Sequence, residues 1–248
     1  MGDRKSEVRG PYRVEDLHSA LEALRDHLAE LQLPQIAYGR RAIVLLEGPD
    51  GAGKKFALKQ LAAAFDPCHC SIHPASFDRR QSAEGHWLAP FWRQLPPGGQ
   101  TAIFFRSWYR RVLDDRIFGR VDDELAARLF DEINEFEAQQ RDYGTLIVKL
   151  YFEVSADVQQ RRLAQRALSP WRGPGPNDEP VRVDDPAYLT ALAELKASSD
   201  TRWSPWRMID GDDEQHAALL ALEAIADAWS KAMPAEPPQL VEAPVRVA

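Results

Sequence analysis

Cysteine is scarce: 248 residues contain two, Cys68 and Cys70, one residue apart. That count and spacing exclude an ordinary disulfide framework, and a reducing, cytoplasmic setting is expected. Also missing is any apolar run of about 18 residues, the least that a membrane-spanning helix needs. The first residues, 1–10, are polar and charged where a secretory signal would be apolar, so neither a targeting segment nor a membrane partner is expected. Basic surplus is lacking as well. Thirty-one Lys and Arg against 38 Asp and Glu leave a formal charge of −7. Proteins that coat nucleic acid carry an overall or one-faced basic excess, so nucleic acid is not an expected partner. A local cationic channel remains compatible with that total.

What is present is 44% hydrophobic and 28% charged residues, enough for one large α/β domain or at most two small ones. Helical spacing of leucines predicts a first helix over 14–33, ending before Pro34. The continuous apolar run 42–46 reads as a strand buried on both faces. Further strands are expected at 71–74, 101–105, 145–154 and 206–210. Helices are expected at 54–65, 78–95 (bent or broken by Pro90), 122–143, 185–199 and 213–231, with another from a Ser155 cap to about 167. Strands alternating with helices imply a parallel sheet with helices on both faces, and no second domain is seen. The expected organisation is a flexible start at 1–13, one domain at 14–232 with a Pro- and Gly-rich lid at about 161–185, and a disordered Pro-rich end at 233–248.

Strand 42–46 runs straight into Glu47-Gly48-Pro49-Asp50-Gly51-Ala52-Gly53-Lys54, which opens a helix. A G-x-x-x-x-G-K run in that context is a phosphate-cradling loop. Gly48, Gly51, Ala52 and Gly53 let backbone N–H groups turn toward phosphate oxygens, the helix N-terminus adds its dipole, and Lys54 adds a point charge. Lys55 occupies the place where most such loops carry the Ser or Thr that ligates Mg²⁺, which leaves Asp50 as the nearest candidate ligand.

A second constellation, Arg106-Ser107-Trp108-Tyr109-Arg110-Arg111, follows strand 101–105. Together with Glu47 to Lys54, Leu95-Pro96-Pro97-Gly98-Gly99 and Pro205-Trp206, it makes a co-linear set that resembles the polyphosphate kinase 2 family over about 17–228. In its phenylalanine pair before Arg106 and in Phe91-Trp92-Arg93, the pattern is most similar to one half of the tandem polyphosphate:AMP phosphotransferases. The resemblance implies a three-layer, P-loop kinase-like α/β fold with a parallel sheet and a helical or loop lid. It implies phosphoryl transfer between inorganic polyphosphate and AMP, ADP or ATP with Mg²⁺, in a homo-oligomer, dimer or tetramer. Carried over by position, it makes Asp50 the carboxylate that orients Mg²⁺ and the acceptor phosphate. Lys54, Gly51 and Gly53 would hold phosphoryl oxygens, and Arg106 and Arg111 would line the phosphate channel.

The chain departs from that pattern at three places. Phe105 replaces the strand-end aspartate, Gly173 to Asn177 replace a lysine-bearing lid segment, and no basic residue stands in 211–215. An impaired homologue that binds polyphosphate or nucleotide is therefore the alternative reading. Asp114 and Asp115 read as solvated helix-face residues rather than as replacements for the missing carboxylate. Arg161, Arg162, Arg166 and Arg172 fall in an acid-poor stretch, and Arg162 and Arg166 share a helix face, so Arg162, Arg166 and Arg172 are candidate anion contacts along with Lys55. Trp108 and Trp171 are candidate nucleotide contacts. Cys68, His69, Cys70 and His73 match no common zinc spacing and read as incidental. The loop also resembles that of thymidylate kinases, but those place Ser or Thr at position 55.

Overall fold

The structure, a computed structural model, describes residues 14–74, 85–169 and 180–238. Helix α1 (Val14–Ala37) leads into strand β1 (Arg41–Glu47), and α2 (Lys54–Ala64) follows the glycine loop. Strand β2 (Cys70–Pro74), the short α3 (Ala89–Trp92) and β3 (Thr101–Phe105) come next. A 3₁₀ turn at Trp108–Arg111 precedes α4 (Asp114–Ile117) and the long α5 (Asp123–Asp142). The remaining elements are β4 (Thr145–Glu153), α6 (Ala156–Ala167), α7 (Pro186–Ser199), β5 (Trp206–Asp210) and α8 (Glu214–Ala232).

All five strands are parallel, in the order β2-β3-β1-β4-β5. This makes β1 the centre of the sheet, which explains why residues 42–46 are wholly buried. One face is covered by α1, α2 and α8, whose Leu28, Leu61, Leu222 and Trp229 share a core with Val44 and Leu150. On the other face Phe91, Trp108, Ile133, Phe136 and Leu195 pack with Ile43, Leu45 and Phe104. Leu46 lies beside Phe105 and Leu150, so the carboxyl ends of β1, β3 and β4 finish level. In open parallel sheets that edge is where ligands bind. Among the described residues no helix is long and apolar enough to cross a membrane.

Four expectations need correction. Helix α1 continues through Pro34 to Ala37. The proline removes one helical N–H, but Gln32 accepts from the Asp66 N–H at 2.8 Å and Gln35 bonds Thr101 and Trp229 at 2.9 and 3.0 Å, so tertiary bonds hold the last turn. Pro90 falls in the first turn of α3, where its missing N–H costs nothing, and it starts that short helix instead of bending a long one. The rest of the expected 78–95 helix up to residue 84 lies outside the described residues. Ser155 occupies the N-cap position of α6 without a side-chain cap, and its own N–H goes to Asp212 Oδ1 at 2.7 Å. Met233, expected in a disordered end, is 8% exposed in the first core, and Glu236 accepts a bond from Tyr38 at 2.9 Å. Residues 1–13 and 239–248 lie outside the described residues, as do 170–179 of the expected lid.

One charged pair is sealed inside the second core. Lys149 on β4 meets Glu137 on α5 at 3.1 Å, both 0% exposed. Lys149 also donates to the Ser199 carbonyl at 2.7 Å, and Trp108 donates to Glu137 at 3.0 Å. Burial holds the Lys149 ammonium below its ordinary pKa and Glu137 pulls it back up. The network pins Trp108, and with it the segment that leaves β3 for the loop edge. Lys149→Met would strand a buried carboxylate, so a loss of about 3–5 kcal/mol is expected in urea denaturation. The double variant Lys149→Met/Glu137→Leu should recover most of it.

Candidate functional site

The loop after β1 is built by close packing as much as by sequence. Gly48 has φ 125°, and a Cβ there would overlap the Phe152 carbonyl on β4. Gly51 and Gly53 have φ 86° and 83°, a left-handed turn that delivers the chain into α2 with Gly53 as its N-cap. Gly211, in the connection from β5 to α8, fits against Ala52 and Glu153 so tightly that a side chain would overlap both carbonyl oxygens. The loop is therefore held between two neighbouring connections.

Helix α6 supplies the fixings. Gln159 is buried and donates to the carbonyls of Asp50 at 3.0 Å and Val181 at 2.8 Å, while its Oε1 accepts from Val183 N–H at 3.1 Å. One turn on, Arg162 donates to the carbonyls of Gly51 at 2.7 Å, Gly211 at 2.6 Å and Asp212 at 2.8 Å. These bonds occupy the carbonyls of Asp50 and Gly51, while the Ala52 N–H closes the turn onto the Pro49 carbonyl at 3.4 Å. The Arg162 guanidinium, expected at an anion, fastens the loop to the β5–α8 connection in this structure.

Lys54 is 4% exposed and folds back onto its own loop, with Nζ 2.5 Å from the Gly48 carbonyl and 2.6 Å from that of Pro49. Its ammonium lies 6.0 Å from the centroid of the Phe105 ring. Burial and then Arg106 push its pKa down to about 8, against the pull of Asp50, Glu47 and Asp114. Lys55 is exposed on the next position of α2. Glu47, which sequence reasoning gave no role, is buried. Its Oε1 accepts from both the N–H and the hydroxyl of Ser107 at 2.6 Å, clamping the exit of β3 to that of β1. Burial raises its carboxyl pKa, and the Ser107 bonds oppose that rise.

Arg106 is the only non-glycine residue with positive φ among the described residues, at 63°. Such a conformation costs of order 1–3 kcal/mol and is kept only where the surroundings impose it. Here the N–H bonds Leu46 at 3.1 Å, and the guanidinium spans two carboxylates, Asp50 at 2.9 Å and Asp114 at 2.9 Å. Burial works to raise the Asp50 pKa, but Arg106 and Lys54 outweigh it and hold the carboxyl below its ordinary range. Arg166 adds a more distant contact to Asp50 at 3.9 Å.

Of the site residues expected from sequence, Asp50, Lys54, Arg106 and Arg166 meet at the loop, and others stand elsewhere. Asp114 is no solvated residue: it also takes Arg110 at 3.1 Å and is 21% exposed. Spacing alone could not find it, because the 3₁₀ turn that folds the chain back has no periodic signature. Asp115 pairs with Arg120 at 3.0 Å. Arg111 has its guanidinium 5.5 Å from the Trp87 ring centroid. Trp108 is fully buried against Glu137, so it cannot touch a nucleotide, and Trp171 and Arg172 lie outside the described residues. Cys70 is inert, its thiol pushed up to about 11 by burial, and His69 and His73 bond Asp66 and Ser71 at 2.9 Å each. Among the described residues no group of three or more His, Cys, Asp or Glu is arranged to hold a metal ion.

A five-stranded parallel sheet with a glycine loop after its central strand, helices on both faces and cations at the loop defines a P-loop α/β protein. The polyphosphate kinase 2 family model matches residues 13–237, and the chain belongs to that family. It is 32% identical over 192 residues to a polyphosphate:AMP phosphotransferase of Pseudomonas syringae pv. tomato, covering 77% of this chain and 39% of that protein, so the match spans only part of that relative's length. It is 30% identical over 213 residues to ADP-polyphosphate phosphotransferase 2 of Rhizobium meliloti, covering 84% and 69%. The crystal structure of polyphosphate kinase 2 from Arthrobacter aurescens TC1 shares the fold, with a TM-score of 0.82 at 24% identity over 96% of this chain and 89% of that one.

Two predictions follow from the fixings and from Lys54. Arg162→Ala should lower stability by about 2–3 kcal/mol, since hydrogen bonds from a charged group are lost. Arg166→Ala should leave the thermal transition in place and weaken polyphosphate binding, which calorimetry would separate. Free Lys54 loses its proton near pH 8, and phosphate oxygens in the loop would restore its charge. Binding should take up protons above that pH, and affinity should fall by up to about tenfold per pH unit. Titration in buffers of different ionisation enthalpy would measure the uptake, which Lys54→Arg should abolish.

Proposed function

We propose that this chain transfers a phosphoryl group between inorganic polyphosphate and an AMP- or ADP-level nucleotide, with Mg²⁺, as a cytoplasmic homo-oligomer. The observation that carries the reading is the meeting of Asp50, Lys54, Arg106 and Arg166 over a loop whose carbonyls are held outward. Phosphoryl transfer needs in-line positioning and neutralised oxygens, not a covalent nucleophile. Amides of Gly51 and Gly53 at the start of α2 cradle phosphate oxygens, and Lys54, held at the loop by the carbonyls of Gly48 and Pro49, presents its charge to them. Arg106 and Arg166 neutralise the chain of phosphates approaching over Asp50.

Mg²⁺ in such sites is held by one or two carboxylates together with substrate phosphates and water. The donor set fits on those terms: Asp50 and Asp114 are partly open hard-oxygen donors, 23% and 21% exposed, while Phe105 and Lys55 offer none. Bound there, the ion would spread the charge of the transferring phosphoryl group. Phe105 favours a second reading, in which the chain binds polyphosphate or nucleotide without turnover.

Formation of ADP from AMP, and of ATP from ADP, with polyphosphate and Mg²⁺ tests the first reading, alongside a direct polyphosphate-binding measurement. Turnover that depends on Mg²⁺ and falls at least about a hundredfold in Lys54→Ala supports it. Tight binding without turnover would overturn it in favour of the second. Unchanged polyphosphate affinity in Lys54→Ala would sink both.

A further inference from the structure

The carboxylate missing at the end of β3 has a counterpart nine residues further on, in Asp114. Phe105 closes the strand with a ring 6.0 Å from the Lys54 ammonium, and the chain beyond the 3₁₀ turn returns a carboxylate, Asp114, to the guanidinium of the neighbouring Arg106. Asp114, at the start of α4, and Asp50, at the tip of the loop, grip opposite nitrogens of one guanidinium at 2.9 Å each. Two carboxylates converging on one cation create a place where positive charge is required, whatever supplies it.

We propose that Asp114 replaces the carboxylate lost at position 105, and that Arg106 is a built-in cation which a divalent metal ion displaces from between Asp50 and Asp114. This rests on the phosphotransfer reading given above and names a ligand for it. The divalent ion brings one charge more than the guanidinium it displaces, and the phosphate anion that arrives with it takes up that surplus. When Arg106 leaves, Asp114 keeps Arg110 at 3.1 Å and Asp50 keeps Arg166 at 3.9 Å, so neither carboxylate is stripped of cations. Arg106, freed from both, becomes available to the phosphate anion that arrives with the metal. Metal and guanidinium thus occupy the carboxylates in turn, and the site needs no third acidic ligand because phosphate oxygens supply the rest. Asp115, next in sequence and held by Arg120 at 3.0 Å, takes no part and serves as the internal control.

Mn²⁺ is the probe, titrated into the full chain and followed by the EPR signal of the free ion, without phosphate and then with tripolyphosphate. Without phosphate, Arg106→Ala should bind Mn²⁺ about tenfold tighter than the unmodified chain, because its competitor is gone. Asp50→Asn and Asp114→Asn should each weaken binding at least about tenfold, and Asp115→Asn should leave it unchanged. Phe105→Asp combined with Asp114→Asn should recover most of the lost affinity. Equal Mn²⁺ affinity in Asp114→Asn and the unmodified chain overturns the proposal, as does Arg106→Ala that binds no tighter, or an unmodified chain that binds no Mn²⁺. Should Asp114→Asn fail to fold, the Arg106→Ala arm decides alone. The two readings fail separately: Mn²⁺ held by Asp50 and Asp114 without ADP or ATP formation sinks only the phosphotransfer reading. Turnover with Asp114 irrelevant to Mn²⁺ sinks only this one.

Discussion

A loop that offers its amides to an anion must dispose of its carbonyls elsewhere, and the whole site depends on how that is done. Each buried backbone oxygen without a partner would cost about as much as the phosphate contact gains. Here Gln159 takes the Asp50 carbonyl, Arg162 takes that of Gly51, and Lys54 takes those of Gly48 and Pro49. Helix α6 contributes the first two from one face, so its placement against the sheet sets the direction of the loop amides. Gln159 also holds Val181 and Val183, which ties the chain that returns to α7 to the tip of the loop. The glycines make the turn possible, and α6 makes it single-valued.

Charge is organised by the same economy of partners. The chain is acidic overall at −7, yet Lys54, Arg106, Arg110, Arg162 and Arg166 gather around the loop at the sheet's carboxyl edge, interleaved with Asp50 and Asp114. Net charge is a statement about the whole surface; recognition of an anion depends on the local field. At the loop the field is not simply positive. Asp50 and Asp114 alternate with Arg106, Arg110 and Arg166, and this alternation lets cations stand close together without an anion present.

Elements and loop were legible because their signals are local. A doubly buried strand announces itself as an apolar run, and a phosphate loop as glycines between strand and helix. Partners were not legible in that way. The i,i+4 spacing of Arg162 and Arg166 shows that they share a face, but not that one reaches three carbonyls while the other stays 40% exposed near Asp50. Trp108 reads as a free aromatic beside the motif and is instead the donor to Glu137, an acid on the buried face of the charged, amphipathic α5. Pro34 reads as a helix stop, and Gln32 and Gln35 override it through bonds to residues far along the chain. In each case the deciding partner is remote in sequence, where composition and period carry no information.

Position 105 joins these strands of reasoning. A carboxylate there would lie next to Lys54 and hold its ammonium charged. Phe105 offers only the face of a ring at 6.0 Å, an attraction weaker than an ion pair, and Arg106 adds repulsion from the neighbouring position. Lys54 is left with two neutral carbonyls as its direct partners, and burial and Arg106 outweigh the pull of Asp50, Glu47 and Asp114 to bring its pKa to about 8, well below that of an ordinary lysine. The loop therefore relies on its ligand for charge balance to a degree that a loop with a strand-end aspartate does not. With an aromatic ring at position 105, any anion that enters the loop supplies the counter-charge that a carboxylate there would have supplied.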